Sequence, residues 1–194
     1  MMLKTIITTI LLSATWSVAD SISIDFEKNL QYTWQKNATW QIVKEDKNHI
    51  LSLVKQSKAY FNLYFSKDIT FLNGSISVKF KANAGHIDQG GGLMWRVQDK
   101  DNYYVARFNP LEDNFRFYIV HNGMRSELAS ANIKLSSGWH TMKIVQKDNH
   151  FEGYLDDKKL LSYKDKQLQK RGGVGVWTKA DALTSFDDLN IRVQ

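Results

Sequence analysis

The sequence contains no cysteine among its 194 residues. Disulfides, thiolate metal centres and a cysteine nucleophile are therefore excluded. Proline occurs once, as Pro110. No segment has the ~20 consecutive apolar residues that a membrane-spanning helix takes. Beyond the first nineteen residues no stretch keeps a helical period. The three glycines Gly90–Gly92 are not followed by a helical pattern, so they do not form a phosphate-binding loop, which needs a helix N-terminus. There is no Gly-x-Ser-x-Gly elbow for a serine nucleophile. The five histidines (His49, His86, His121, His140 and His150) lack metal-ligand spacing. Catalytic residues stay unassigned, and no metal site is expected from spacing.

Paired carboxylates of the kind a glycosidase needs, ~5–10 Å apart, are missing too. Glu112-Asp113, Asp156-Asp157 and Asp187-Asp188 are sequence neighbours. On a strand such neighbours point to opposite faces, and in tight turns aspartates bond their own backbone. Charge of one sign is not concentrated either. Lysine and arginine total 26 against 20 acids, a net +6, spread along the chain with no basic run interleaved with aromatics. A nucleic-acid partner is not expected.

What is present is core-forming material: 43% apolar and 12% aromatic residues. A chain of this size buries about 70% of its unfolded surface without staples. At the N-terminus, Met1-Met2-Leu3-Lys4 precedes the apolar run Ile6–Leu12, and Ser17-Val18-Ala19 places small residues before Asp20. This reads as a signal peptide over 1–19, giving an exported protein, periplasmic or extracellular, with no membrane span after cleavage. Residues 20–194 read as one domain.

Within that domain, short runs of alternating polarity recur every eight to twelve residues between polar turns. This predicts an all-β fold, a two-sheet antiparallel jelly-roll sandwich of roughly a dozen strands. Trp40–Glu45, His49–Val54, Ala59–Phe65, Ser75–Ala82, Met124–Ala129, Trp139–Gln146, His150–Asp156, Lys159–Tyr163, Val174–Thr178 and Ser185–Val193 are expected strands. The centre of the chain is Asp88–Val120, where Gly92–Gln98, Tyr103–Asn109 and Phe115–Val120 form three consecutive antiparallel strands.

Alternation sorts the side chains of these three strands. Leu93, Trp95 and Val97, then Tyr104, Ala106 and Phe108, then Phe115, Phe117 and Ile119 are expected in the core. Arg96, Arg107, Arg116, Tyr103 and Tyr118 are left on the other face. Guanidinium forks suit sugar hydroxyls or a carboxylate. In Gly173–Thr178 the core set is Val174 and Val176, so Gly175 and Trp177 share the opposite face. Trp177 is expected to be an open platform for a sugar, with Lys179 and Asp181 supplying hydrogen bonds. His86 and Asp88 are a further pair able to reach a ligand or metal. The alternative is an arginine face neutralised by turn acids Asp99, Asp101, Glu112 and Asp113, with Trp177 sealing the sandwich.

Three blocks carry a resemblance: GGGLMWRVQDKDNYYVARFNPLEDNFRFYIVHNG, GWHTMKIVQKDNHFEGYLDDKKLL and GGVGVWTKADALTSFDDLNI. From about Gly74 to the C-terminus the chain resembles the 3-keto-disaccharide hydrolase family, related to laminin-G-like and concanavalin A-like domains. The resemblance implies a jelly roll with one concave sheet, and saccharide as the ligand class. It also implies that a structural calcium ion is conceivable, with Asp187, Asp188 and Asp25 as ligands; no other cofactor is expected. The chain is more compact than the hydrolases of that family. It lacks the Glu-x-Asp-x-Glu-like strand of the β-glucanases that share the fold, and Asp25-Phe26-Glu27 is the nearest approach. The expected function is therefore an exported carbohydrate-binding domain with its saccharide on the concave sheet. A glycoside hydrolase and a structural or adhesion module of the cell envelope are the alternatives. The sequence leaves oligomeric state open.

Overall fold

The computed structural model describes residues 20–27 and 31–194. The segment 1–19, expected to be a signal peptide, lies outside the described residues. Every regular element among those residues is a strand. In chain order they are β1 (Ser21–Ile24), β2 (Gln35–Lys36), β3 (Thr39–Glu45), β4 (Asn48–Lys55), β5 (Phe61–Phe71), β6 (Gly74–Ala84), β7 (Gly91–Asp99), β8 (Asn102–Asn109), β9 (Asn114–His121), β10 (Met124–Asn132), β11 (Trp139–Lys147), β12 (His150–Leu155), β13 (Lys158–Lys164), β14 (Gly172–Lys179) and β15 (Leu183–Val193). No helix among them is long and apolar enough to cross a membrane.

The strands form two antiparallel sheets. One runs β13-β12-β11-β6-β15-β4-β3, with β1 added on β15; the other runs β10-β9-β8-β7-β14-β5-β2. Consecutive hairpins account for β7 to β10 and β11 to β13. The crossovers put β6 between β11 and β15, and β14 between β7 and β5. This is the jelly-roll sandwich that the strand spacing predicts.

Between the sheets lies an apolar core fed by both inner faces, and its centre is aromatic. Trp95 stacks on Tyr104 with ring centroids 5.4 Å apart, and Phe117 and Phe151 meet its edge at 6.0 and 5.5 Å. The indole N–H of Trp95 donates to Gln146 Oε1 at 2.8 Å, so this buried polar group is satisfied. Gly153 makes room for these rings. A Cβ there would lie 2.6 Å from the tip of Phe117 and 2.8 Å from Phe115.

A second apolar cluster sits on the other face of the β7-containing sheet: Leu63, Phe65, Met94, Val97, Tyr103, Val105, Tyr118, Val120 and Trp177, with Phe61 packed against them. That face is concave. The Arg125 guanidinium of β10 lies 4.3 Å from the Tyr118 ring centroid, 5.7 Å from that of Phe61 and 5.9 Å from that of Trp177. β10 and β14 are four strand steps apart, about 19 Å in a flat sheet. An arginine side chain cannot span that, so the sheet must curl its edges towards each other.

Candidate functional site

Pairing puts three of the expected site residues in one row. Trp177 pairs with Gly92, Gly92 with Arg107, and Arg107 with Arg116 across β14, β7, β8 and β9. Val105 pairs with Tyr118 and Tyr103 with Val120, placing both tyrosines on that same concave face.

Arg96 departs from it. Its φ is +48°, and the β7–β8 register breaks between Trp95 and Asp99, as does the β7–β14 register between Gly173 and Gly175. This is a β-bulge, which re-aims the side chains that follow. Val97, expected in the core, joins the concave cluster instead. Arg96 turns to the end of the sandwich and donates to the backbone oxygens of Leu72, Leu168 and Asp148. It is separate from the other arginines.

The open platform expected at Trp177 is not found. Its exposure is 0%. The ring packs against Phe61 at 5.2 Å between centroids, and its N–H donates to Tyr103 Oη at 3.2 Å. Gly175 does not clear space above it. A Cβ there would lie 2.2 Å from Tyr64 O and 2.6 Å from the Phe65 Cα, so the glycine permits close approach of β5. Tyr103 and Tyr118 are buried as well. Burial pushes the Tyr103 hydroxyl well above its ordinary pKa.

The polar groups of the concave face gather at one end, where four connections converge. These are residues 56–60, 85–90, 110–113 and 180–182. Asp181 is the staple. Its carboxylate accepts the backbone N–H groups of His86 at 2.7 Å, Ile87 at 3.0 Å and Asp88 at 2.9 Å. These bonds hold its pKa down to about 2. Ala180 N–H donates to Tyr60 O at 2.9 Å, tying in the fourth connection. Asp181 thus orders a loop, with its oxygens directed at the backbone.

The stapled loop delivers Asp88 to Arg107. The two form a bidentate pair at 2.7 and 2.8 Å, each side chain 1% exposed. Lys179 Nζ lies 3.1 Å from the same carboxylate. Glu112 bridges the neighbouring arginines, 3.5 Å from Arg107 and 3.1 Å from Arg116. Arg116 also reaches Glu127 at 3.3 Å, Ser130 Oγ at 3.1 Å and Tyr118 Oη at 3.3 Å. Burial works against ionisation of Glu112, but the bond from Asn114 and the charges of Arg107 and Arg116 outweigh it, and its pKa falls below the usual value.

So the expected neutralisation by turn acids holds for Glu112, while Asp99 and Asp101 stay near Asn102 and Lys100. Asp88 is the partner that alternation did not reveal, because it lies in a glycine-bounded loop. His86 contributes its backbone N–H to Asp181, and the Asp88 carboxylate faces Arg107 and Lys179 instead of sharing a ligand with it. Around this network the rim is exposed. Tyr60 is 58% exposed with Lys179 Nζ 4.9 Å from its ring centroid, and Ile87 is 73% exposed.

Among the described residues no three His, Asp or Glu side chains converge as metal ligands. Asp187 accepts Asn48 Nδ2 at 2.8 Å, Asp188 pairs with Lys79 at 2.7 Å, and Asp25 accepts the Glu27 N–H at 3.1 Å.

The chain matches no protein-family model and no curated protein sequence. Solved structures share its fold. A carbohydrate binding module, CBM66 from Bacillus subtilis, superposes with a TM-score of 0.70 at 20% identity, over 83% of this chain and 97% of that one. A Bacillus licheniformis β-glucanase gives 0.64 at 15% identity, over 90% and 98%. A Bacteroides ovatus mixed-linkage glucan enzyme of family GH16, in complex with its product, gives 0.64 at 10%, over 88% and 99%. At these identities the likeness is one of fold: a concanavalin A-like, galectin-like jelly roll.

Proposed function

We propose that this chain is an exported carbohydrate-binding domain that holds a saccharide across the loop end of its concave sheet. The observation that carries this reading is the network Asp88–Arg107–Glu112–Arg116 with Lys179. It fixes several charged donors and acceptors in place beside the exposed ring of Tyr60. Fixed donors lose little entropy on binding a hydroxyl-rich ligand. An exposed aromatic offers the flat apolar surface that a pyranose face needs. Arg116, Lys179 and Glu112 make the polar contacts. Arg107 and Asp181 hold them in position, with Tyr103, Tyr118 and Trp177 forming the floor. Shared fold with a carbohydrate binding module and with glucan-cleaving enzymes is consistent with this ligand class.

Glycoside hydrolysis of the 3-keto-disaccharide hydrolase type, which the sequence resemblance suggests, is the weaker reading. A glycosidase keeps one carboxyl protonated by raising its pKa. Glu112 and Asp181 are both held below their ordinary values, and Asp187, which burial pushes up, lies on β15 of the other sheet, bonded to Asn48.

A glycan array with residues 20–194, followed by calorimetry on the best hit, tests the reading. Arg116→Ala and Lys179→Gln are expected to weaken binding at least tenfold while the fold survives, as for lost charge-assisted bonds. Binding unchanged in both variants would move the site elsewhere. Reducing-sugar release that is lost in Glu112→Gln would instead establish hydrolysis. Export is checked by the N-terminus of protein recovered outside the cytoplasm, which is expected to begin at Asp20.

A further inference from the structure

The end of the sandwich opposite the stapled loops holds a polar cavity. Leu72 and Asn73 precede β6, whereas residues 85–90 follow it. The cavity has a volume of about 370 Å³ and is lined by Leu72, Asn73, Arg96, Asp148, Asn149, Lys166 and Gln169. It is where the β7 bulge sends Arg96.

Arg96 is 1% exposed. Its Nε donates to Leu72 O at 3.1 Å. Nη2 donates to Leu72 O at 2.9 Å and Asp148 O at 2.5 Å. Nη1 donates to Leu168 O at 3.0 Å. Nη1 carries two hydrogens, and among the described residues only one has an acceptor. No carboxylate among those residues lies within ion-pair distance of this guanidinium, in contrast to Arg107, which has Asp88 and Glu112. Carbonyl dipoles satisfy most of its hydrogens, and the Asp148 carboxylate, beyond ion-pair distance, offsets its charge only in part. A buried charge without a paired counter-charge is costly, and burial lowers the pKa of Arg96 accordingly.

We propose that this cavity binds a small oxyanion, a carboxylate or phosphate group, which takes the spare Nη1 hydrogen of Arg96 and the ammonium of Lys166. Asn73, Asn149 and Gln169 supply amide donors, the usual company of a bound anion. Asp148 is the one acid in the lining, and its carboxylate, which accepts Asn73 Nδ2 at 3.4 Å, opposes the anion. That opposition gives the proposal a signature of two signs. Removing positive charge at Lys166 must weaken the anion, and neutralising Asp148 must strengthen it. A purely structural Arg96, cinching three connections through their carbonyls, predicts neither.

The experiment is an amide chemical-shift titration of residues 20–194 at constant ionic strength, with galacturonate, inorganic phosphate and glucose as separate probes. Saturable shifts at Asn73, Asn149 and Gln169 are expected with the anions and not with glucose. If galacturonate alone binds, the source is an acidic sugar; if phosphate binds equally, it is a free anion. Lys166→Gln should raise the apparent Kd about threefold, the size of a solvent-exposed charge contact. Asp148→Asn, which keeps the left-handed turn that asparagine tolerates, should lower it by a similar factor. Lys44→Gln, on β3, should leave it unchanged. The proposal fails if neither anion saturates these amides. It fails equally if Lys44→Gln acts like Lys166→Gln, or if the shifts cluster at Arg116 and Lys179. None of these outcomes depends on Arg96 variants, which would disturb folding.

Discussion

Arg107 and Trp177 are where the concave face is decided, and both are buried. Arg107→Ala leaves the Asp88 carboxylate in a dry environment with Lys179 as its remaining cation. Breaking such a pair costs about 3–5 kcal/mol. The double variant Arg107→Met/Asp88→Leu removes both charges and should cost less than Arg107→Ala alone, a non-additivity that urea denaturation reads directly. A double-variant loss equal to the sum of the two single losses would mean the pair is not coupled. Trp177→Ala removes a fully buried indole that packs on Phe61 and bonds Tyr103. Denaturation should show a loss of about 3–5 kcal/mol. A loss below about 1 kcal/mol, typical of a surface site, would restore the open platform that the sequence suggests.

The stapled loop and the β7 bulge show what an element takes from its surroundings. Residues 85–88 have no ladder; three of their N–H groups are held by Asp181 alone. Asp181 has its pKa lowered from 3.8 to about 2 in the fold, so its contribution is full above the unfolded value and disappears as pH falls through the folded one. Hydrogen exchange at His86, Ile87 and Asp88 should therefore accelerate between pH 4 and 2 beyond the intrinsic rate. Asp181→Asn should show that acceleration already at neutral pH. Equal protection in wild type and Asp181→Asn would remove the staple. Alternation made most strands legible, including which faces of β8 and β9 look outward, because those strands pair without interruption. It failed after Trp95, since a bulge is defined by the registers of two neighbouring strands and leaves no mark in a single strand's own pattern. It missed β1, whose Ser-Ile alternation is short, and β2, whose two residues exist as a strand only through pairing with β5. The burial of Trp177 was illegible for a third reason: alternation assigns a face, and sheet curvature then decides whether that face is open.

At the scale of the whole molecule, the β7-containing sheet is apolar on both faces. One face makes the core between the sheets, and the other the concave cluster. The two are separated only by the thickness of one sheet, and β5, β7, β8, β9 and β14 contribute to both. Pairing also ties the ends of the chain together. β1 lies on β15, β5 on β14, and β6 between β11 and β15. No half of the sequence closes a sheet alone, so neither cluster can form while the other is open. Unfolding should therefore be one transition. Far-ultraviolet circular dichroism, which reads strands, and tryptophan fluorescence, which reads Trp40 and Trp95 in the core and Trp177 in the cluster among others, should give one midpoint and one m-value in denaturant. The same non-local pairing predicts slow refolding, in the millisecond-to-second range, since loop closure precedes the contacts that reward it. Residues 20–194 hold five tryptophans, so the difference between wild type and Trp177→Phe isolates the Trp177 signal from the other four. If the Trp177 signal disappears at a lower denaturant concentration than the dichroism, the concave cluster melts by itself and the sheet is not a single cooperative wall.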